Sequence, residues 1–349
     1  MRRKTLDILL GFVISISILM MLSTTQQVLA QCNWSTKVTL AENNIYAPPG
    51  LTASGDRLIL TWASGSDSSG GVFNSMISFN GVNWSNKVTR PDFPRIAKFV
   101  LGGLGMTYSP PCGGVYAAWR DNNNNMWATK SADGINWDSA LFIVGSALSA
   151  PALRGDNGSL PIGFAFSTNS STYPGMYEAF KGKLNCDFSN PVFPIQPCFF
   201  NDGCLYYHGE FAPIPPAWAG AGGTTELSAI ATGPPNRGIA QILYEMNNDF
   251  TQSLPDGFWS NNGLAGTVNP NDGTPYLAWN CHSDFGDTCS GSGSGRINIL
   301  NVITRAHMIC DEPSPYNPAM TFFQGKIWVA WRSAPPLSGS ITIASLNPL

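Results

Sequence analysis

Seven polar side chains carry the chemistry this sequence offers: Arg95, Arg120, Asp121, His282, Asp284, Glu312 and Arg332. Arg120 follows Trp119 and Arg332 follows Trp331 in matching Ala-Trp-Arg phrases, so both are expected on one rim of the fold. A guanidinium forks onto a carboxylate or onto paired hydroxyls. A Trp or Tyr face stacks on a sugar ring. A ring of Arg, Asp and aromatic groups around a shallow well therefore suits a glycan. Hydrolysis of a glycoside would need two carboxyl groups at a set separation, and the sequence supplies candidates without a distance. Tyr244 and Glu245 are adjacent and so point to opposite faces of a strand, poor geometry for one catalytic pair. Asp284 and Asp287 lie in a Gly-rich loop and are a weak match to a calcium site. No Cys-x-x-Cys occurs and the three histidines are scattered, so no metal site is assigned and no cofactor is expected beyond that calcium option. His282 falls between Cys281 and Cys289 and reads more readily as a surface residue than as a catalytic one.

These residues are spaced by a repeat. Its clearest copy is Val115–Trp119, a polar loop, Met126–Ser131, then Asp133-Gly134-Ile135-Asn136-Trp137. It reads as a strand ending in Trp, a loop, a second strand and a tight turn closed by another Trp. Strand cores of this kind are expected at Arg57–Trp62, Val115–Trp119, Pro161–Phe166, Glu226–Thr232, Pro275–Trp279 and Lys326–Trp331. Trp62 to Trp119 is 57 positions, Trp119 to Phe166 is 47 and Trp279 to Trp331 is 52. A period near 50 with about four strands per unit marks a β-propeller, here of six blades. Trp62, Trp119, Trp279 and Trp331 recur at one repeat position and are expected in the blade core. If the Asp-Gly turns line one face, the loop after each Trp strand and the links between blades line the other, where Arg90, Asp92 and Arg95 also fall.

The ends of the chain match one another. Trp34-Ser35-Thr36-Lys37-Val38-Thr39 resembles Trp84-Ser85-Asn86-Lys87-Val88-Thr89, and Ile341–Ser345 resembles the strand before such a turn. The N-terminal strand is therefore expected to complete the last blade, leaving no free edge at the seam. Residues 1–30 read as a signal peptide: Arg2, Arg3 and Lys4, an apolar run from Ile8 to Leu22, then Val28-Leu29-Ala30. The apolar run is short for a membrane span. The propeller is expected over 31–349, secreted to the extracellular or periplasmic space, with no stable span after cleavage and an irregular insertion at about 191–225. All eight cysteines follow residue 30, which in an exported chain reads as disulfides. Cys198/Cys204 and Cys281/Cys289 can close local loops, Cys32/Cys310 can tie the ends, and Cys112/Cys186 remain. The formal net charge is -3 with no basic face, which argues against nucleic acid as a partner. Asn33, Asn83, Asn157 and Asn169 match the glycosylation pattern.

Ser131-Ala132-Asp133-Gly134-Ile135-Asn136-Trp137 resembles the Asp-box turn of sialidase-like propellers, with Asp and Gly adjacent where the family places one residue between them. Ser78-Phe79-Asn80-Gly81-Val82-Asn83-Trp84 is a second copy with Asn for Asp. The mature chain also resembles bacterial secreted propeller-repeat proteins. The resemblance implies a structural turn on the face away from any substrate. It implies three arginines, a Tyr–Glu pair and an Asp acid in a sialidase. Only Phe93-Pro94-Arg95-Ile96-Ala97 is similar to the family's Arg-Ile-Pro, and Ala97 replaces the Pro. The expectation is a propeller that binds a glycan or other small ligand in lectin fashion, with a sialidase-like glycoside hydrolase and a non-catalytic surface interaction module as alternatives.

Overall fold

The computed structural model describes residues 30–42, 44–65, 70–97, 103–155, 162–169, 176–188, 207–208, 217–221, 225–232, 241–246, 249–253, 263–281, 295–333 and 339–349. Two short strands come first, β1 (Ala30–Gln31) and β2 (Thr36–Leu40). Then β3 (Gly50–Ser54), β4 (Arg57–Ser64), β5 (Val72–Ser78) and β6 (Ser85–Arg90) form one antiparallel sheet in chain order. The next holds β7 (Leu104–Ser109), β8 (Gly114–Arg120), β9 (Met126–Ser131) and β10 (Leu141–Val144). A third holds β11 (Ala152–Gly155), β12 (Ile162–Asn169), β13 (Met176–Leu184) and β14 (Tyr207–His208). A fourth holds β15 (Ala217–Ala221), β16 (Thr225–Thr232), β17 (Gln241–Met246) and β18 (Asp249–Ser253). β19 (Leu264–Val268), β20 (Pro275–Cys281), β21 (Gly295–Asn301) and β22 (His307–Ser314) follow, and then β23 (Ala319–Phe323), β24 (Lys326–Arg332) and β25 (Ile341–Leu346).

The first strands of these sheets pack side by side in a closed circuit: β3 on β7, β7 on β11, β11 on β15, β15 on β19, β19 on β23 and β23 on β3. The fold is an all-β β-propeller. β2 closes it by pairing antiparallel with β25, from Thr36 opposite Ser345 to Leu40 opposite Ile341. Six like sheets were the expectation, and the sheets are not alike. Five are four-stranded; the one built on β19–β22 gains β1 as a fifth strand, with Ala30 opposite Met308 and Gln31 opposite Ile309 in parallel. The extra strand follows from the disulfide Cys32–Cys310, Cα atoms 4.8 Å apart, which holds the incoming chain against β22. Cys112–Cys186 ties the second sheet to the turn after β13. Cys198, Cys204 and Cys289 lie outside the described residues. Within 191–225, Tyr207–His208 and Ala217–Ala221 are strands, and Thr225 opens β16.

Each expected strand core falls on the second strand of a sheet. Where their side chains are described, those strands are buried on both faces, because each sheet is covered by a neighbour on either side. β4 is buried from Leu58 to Ala63, whereas the outer strand β6 is largely exposed. Trp62, Trp119, Trp279 and Trp331 are 0–1% exposed, in the core as expected. A ring of that size buries roughly 200 Å², worth about 5 kcal/mol at ~25 cal/mol per Å². The first strands approach closely around the axis, and this demands small residues there. A Cβ at Gly105 would lie 2.2 Å from the carbonyl oxygen of Pro151 in the next sheet.

The Asp-Gly turn fastens one sheet to the one before it. Ser131 Oγ accepts from the Gly134 amide at 2.9 Å, and Asp133 Oδ1 accepts from the amides of Ile135 and Asn136, each at 2.8 Å. Trp137 Nε1 then donates to Ser75 Oγ of the first sheet at 2.9 Å and to Gly134 O at 3.1 Å. Ser78, Asn80, Gly81 and Trp84 repeat the arrangement: Val82 and Asn83 amides reach Asn80 Oδ1 at 2.9 Å, and Trp84 Nε1 reaches Gly81 O at 3.1 Å.

Candidate functional site

Strands alternate in direction, so the beginning of each first strand, the loop after each Trp strand and each inter-sheet link share one face. On that face, at the axis, lies a depression of about 550 Å³ of empty volume, open mouth included. Pro48, Pro49, Gly103, Ala150, Pro151, Asn317 and Pro318 form its mouth, and Leu51, Met106, Leu153, Leu264 and Met320 are among its walls. Among the described lining residues only Asn317 has a polar side chain, and none carries a charge.

Register shows why the walls are apolar. Leu104 stands opposite Trp119 and Leu264 opposite Trp279. Gly50, Gly105, Ala152, Ala265 and Ala319 come next along their strands, followed by Leu51, Met106, Leu153, Gly266 and Met320. The small residue lets the neighbouring strand approach; Leu51, Met106, Leu153 and Met320 fill the space beside it, and Gly266 leaves it open. This ring was missed in the sequence. Its signal was a Pro or Leu, then Gly or Ala, then an apolar residue, 13 to 15 positions ahead of each buried Trp or Phe.

Three of the sequence candidates reach this face from successive sheets. Arg120 ends β8 and donates through Nε to Asn124 Oδ1 at 3.0 Å, with Nη2 bonding the same oxygen. Burial pulls its pKa down from the ordinary value, against the opposing charge of Asp121. Arg332 ends β24, and its guanidinium lies 4.9 Å from the centre of the Tyr316 ring. Arg95 is exposed on the link between the first two sheets, beside Ile96, which bridges Gly71. A side chain at Gly70 would meet Arg95 Cβ at 2.8 Å and Asn122 Nδ2 at 3.3 Å, so Arg95 and the Asn-rich loop share one crevice. The Ala97 amide bonded to Arg120 O at 2.8 Å closes that crevice from below.

Other candidates are placed elsewhere. Asp121 is 7% exposed, and its carboxylate organises its own loop. It accepts from the amides of Asn123 at 2.8 Å and Asn125 at 2.9 Å, from Asn125 Nδ2 at 3.1 Å and from Trp127 Nε1 at 2.8 Å. Burial acts to raise its pKa, but these donors outweigh it and hold the group below the usual carboxylate range. Glu312 sits on β22 and forms an ion pair with Lys37 of β2, joining the five-stranded sheet to the last one. Arg90 pairs with Asp92 at 2.7 Å and lies 4.0 Å from the centre of the Phe93 ring. His282, Asp284 and Asp287 lie outside the described residues. No group of three metal-binding side chains occurs among the described residues.

No family model matches the chain, and no curated protein matches it by sequence. Solved structures do resemble it. The α-L-arabinofuranosidase Arb93A from Fusarium graminearum, in complex with an iminosugar inhibitor, has a TM-score of 0.55 at 13% identity, over 88% of this chain and 98% of that one. An endosialidase of phage phi92 has a TM-score of 0.58 at 8% identity, over 94% and 72%. The lectin SapL1, in complex with α methyl fucoside, has a TM-score of 0.55 at 11% identity, over 88% and 95%. At these identities the likeness defines the fold alone, a β-propeller.

Proposed function

We propose that the chain is a secreted propeller that binds carbohydrate on its link face, with the axial depression as the centre of the site and Arg95, Arg120 and Arg332 around it. The observation that carries this reading is the character of the depression. Among the described residues its side chains are apolar save Asn317, although its exposed surface is more polar than apolar, and no carboxylate lines it. Glycoside hydrolysis needs two; binding needs none. Arginines held by an amide and by an aromatic ring, rather than by carboxylates, remain able to meet hydroxyls. The SapL1 lectin shares the fold. The two cysteine bridges fit an oxidising compartment, and no described helix is long and apolar enough to cross a membrane.

We read residues 1–30 as a signal peptide and 31–349 as one propeller of six blades, so that cleavage leaves only Gln31 of β1 paired with β22. The closed circuit of first strands supports that count. The Ser-x-Asp-Gly turns are read as Asp-boxes on the opposite face. No cofactor or nucleic-acid partner is assigned; calcium at Asp284 and Asp287 is the one cofactor option kept. The second reading is a glycoside hydrolase: both an arabinofuranosidase and an endosialidase share the fold, and Asp284 and Asp287 offer carboxylates.

A glycan array combined with fluorogenic sialoside and arabinofuranoside assays tests the choice. Retention without turnover is the expected result. Turnover that disappears in Arg95→Ala selects the hydrolase, and neither retention nor turnover leaves a surface interaction module.

A further inference from the structure

We infer that the junction of the first and second sheets holds a second carbohydrate site, at the rim of the propeller and separate from the axial depression, in which a sugar lies with its C–H face on Phe142; this rests on the carbohydrate reading above. Phe142 belongs to β10, the outer strand of its sheet. Its ring is 55% exposed. The blade does not require an aromatic there: β6, the outer strand of the first sheet, has none from Ser85 to Arg90. Register assigns the ring to one side. Phe142 stands opposite Trp127, whereas Leu141 stands opposite Ala128 and so faces the other way. Trp127 packs against the cluster of Phe73, Phe93, Trp119 and Trp137 that joins the first two sheets, so Phe142 borders that junction.

The ring is held in place before any ligand arrives. Trp127 and Phe142 meet edge to face, ring centres 5.8 Å apart at 77°, an arrangement aromatic pairs favour. Trp127 Nε1 donates to Asp121 Oδ2 at 2.8 Å, and Asp121 Oδ1 accepts from the Asn123 and Asn125 amides. One buried carboxylate thus fixes the aromatic pair relative to the loop that carries Asn122 and Asn123, both exposed. Across the junction, Arg90 bonds Trp137 O and holds Asp92 through Nε at 2.9 Å and Nη2 at 2.7 Å. Asp92 is exposed, and each of its oxygens keeps a lone pair for a hydroxyl. A pyranose matches this set: C–H groups on the ring, hydroxyls donating to the carboxylate and bonding the amides. A protein partner does not. One aromatic ring offers roughly 150–250 Å², far short of the ~800 Å² per partner of a stable protein interface.

Calorimetric titration of the full chain with the methyl glycosides of fucose, galactose, glucose, mannose and arabinose tests this. At least one is expected to saturate at two per chain. Phe142→Ala and Asn317→Trp should each reduce the count to one, and Phe142→Trp should keep two. Two sites on one chain grip an immobilised glycan together, so the loss of either is expected to lower array retention at least ten-fold. A native count of one overturns the second site, as does a count that Phe142→Ala leaves unchanged; either result leaves carbohydrate binding intact. Absence of binding to all five sugars overturns both. The native count decides even if a variant does not fold.

Discussion

At the scale of single residues, Asp133 shows how much structure one carboxylate organises. Burial acts to raise its pKa, but the Asn136 and Ile135 amides, the Asn136 side chain and Ser131 overcome it and hold the group at about 2. Its unfolded value is ~3.9. The folded pKa is the lower, so its stabilisation is complete above about pH 4 and is lost as pH falls through 2. Asn80 fills the same place in the first sheet with no charge. Asp133→Asn is therefore expected to cost less than about 1 kcal/mol at pH 7 and to flatten the stability profile between pH 4 and 2. Asp133→Ala should lose about 1 kcal/mol, the net worth of hydrogen bonds to part-buried and exposed donors. Urea unfolding at several pH values checks both. This turn was legible because Asp-Gly next to a Trp is a local pattern. The role of Asp121 was not: its four donors come from its own Asn-rich loop and from Trp127, and a sequence does not show which way a loop carboxylate turns.

Among the elements, second strands were legible and first strands were not. A strand such as Val115–Trp119 is buried on both faces and ends in a large aromatic, so it stands out. A first strand such as Gly50–Ser54 looks like a turn, because packing around the axis selects Gly, Ala and Pro. That Arg120 and Arg332 end their Trp strands on one face followed from the repeat; the depression between the first strands did not. The turns carry their own prediction. Gly81 has φ +72°, and a Cβ there would lie 1.8 Å from Trp328. Gly81→Ala is expected to lose about 2–4 kcal/mol, from backbone strain and overpacking together. Gly113 has φ +62° with nothing within 4 Å of the same position. Gly113→Ala should lose only the strain, about 1 kcal/mol. Equal losses in chemical denaturation would mean that the turn does not press on the neighbouring sheet.

For the molecule as a whole, stability depends on the seam. The match between the Thr36–Leu40 and Ile341–Leu346 strands could be read in the sequence because both ends repeat internal phrases. The fifth strand could not, since two residues carry no periodicity. Cys32–Cys310 encloses a loop with a sequence separation of 278. Replacing both cysteines by Ser is expected to cost about 2–4 kcal/mol, measured by thermal unfolding. Removing residues 31–40 should free the edge of β25 and drive self-association, seen by size-exclusion chromatography. The most direct test of the account joins this ring to its function: glycan-array retention of the native chain and of Asn317→Trp, with released sugar assayed in the same wells. The account predicts retention by the native chain, at least ten-fold less by Asn317→Trp at unchanged melting temperature, and no released sugar. Undiminished retention by Asn317→Trp, or sugar released by the native chain, would contradict it.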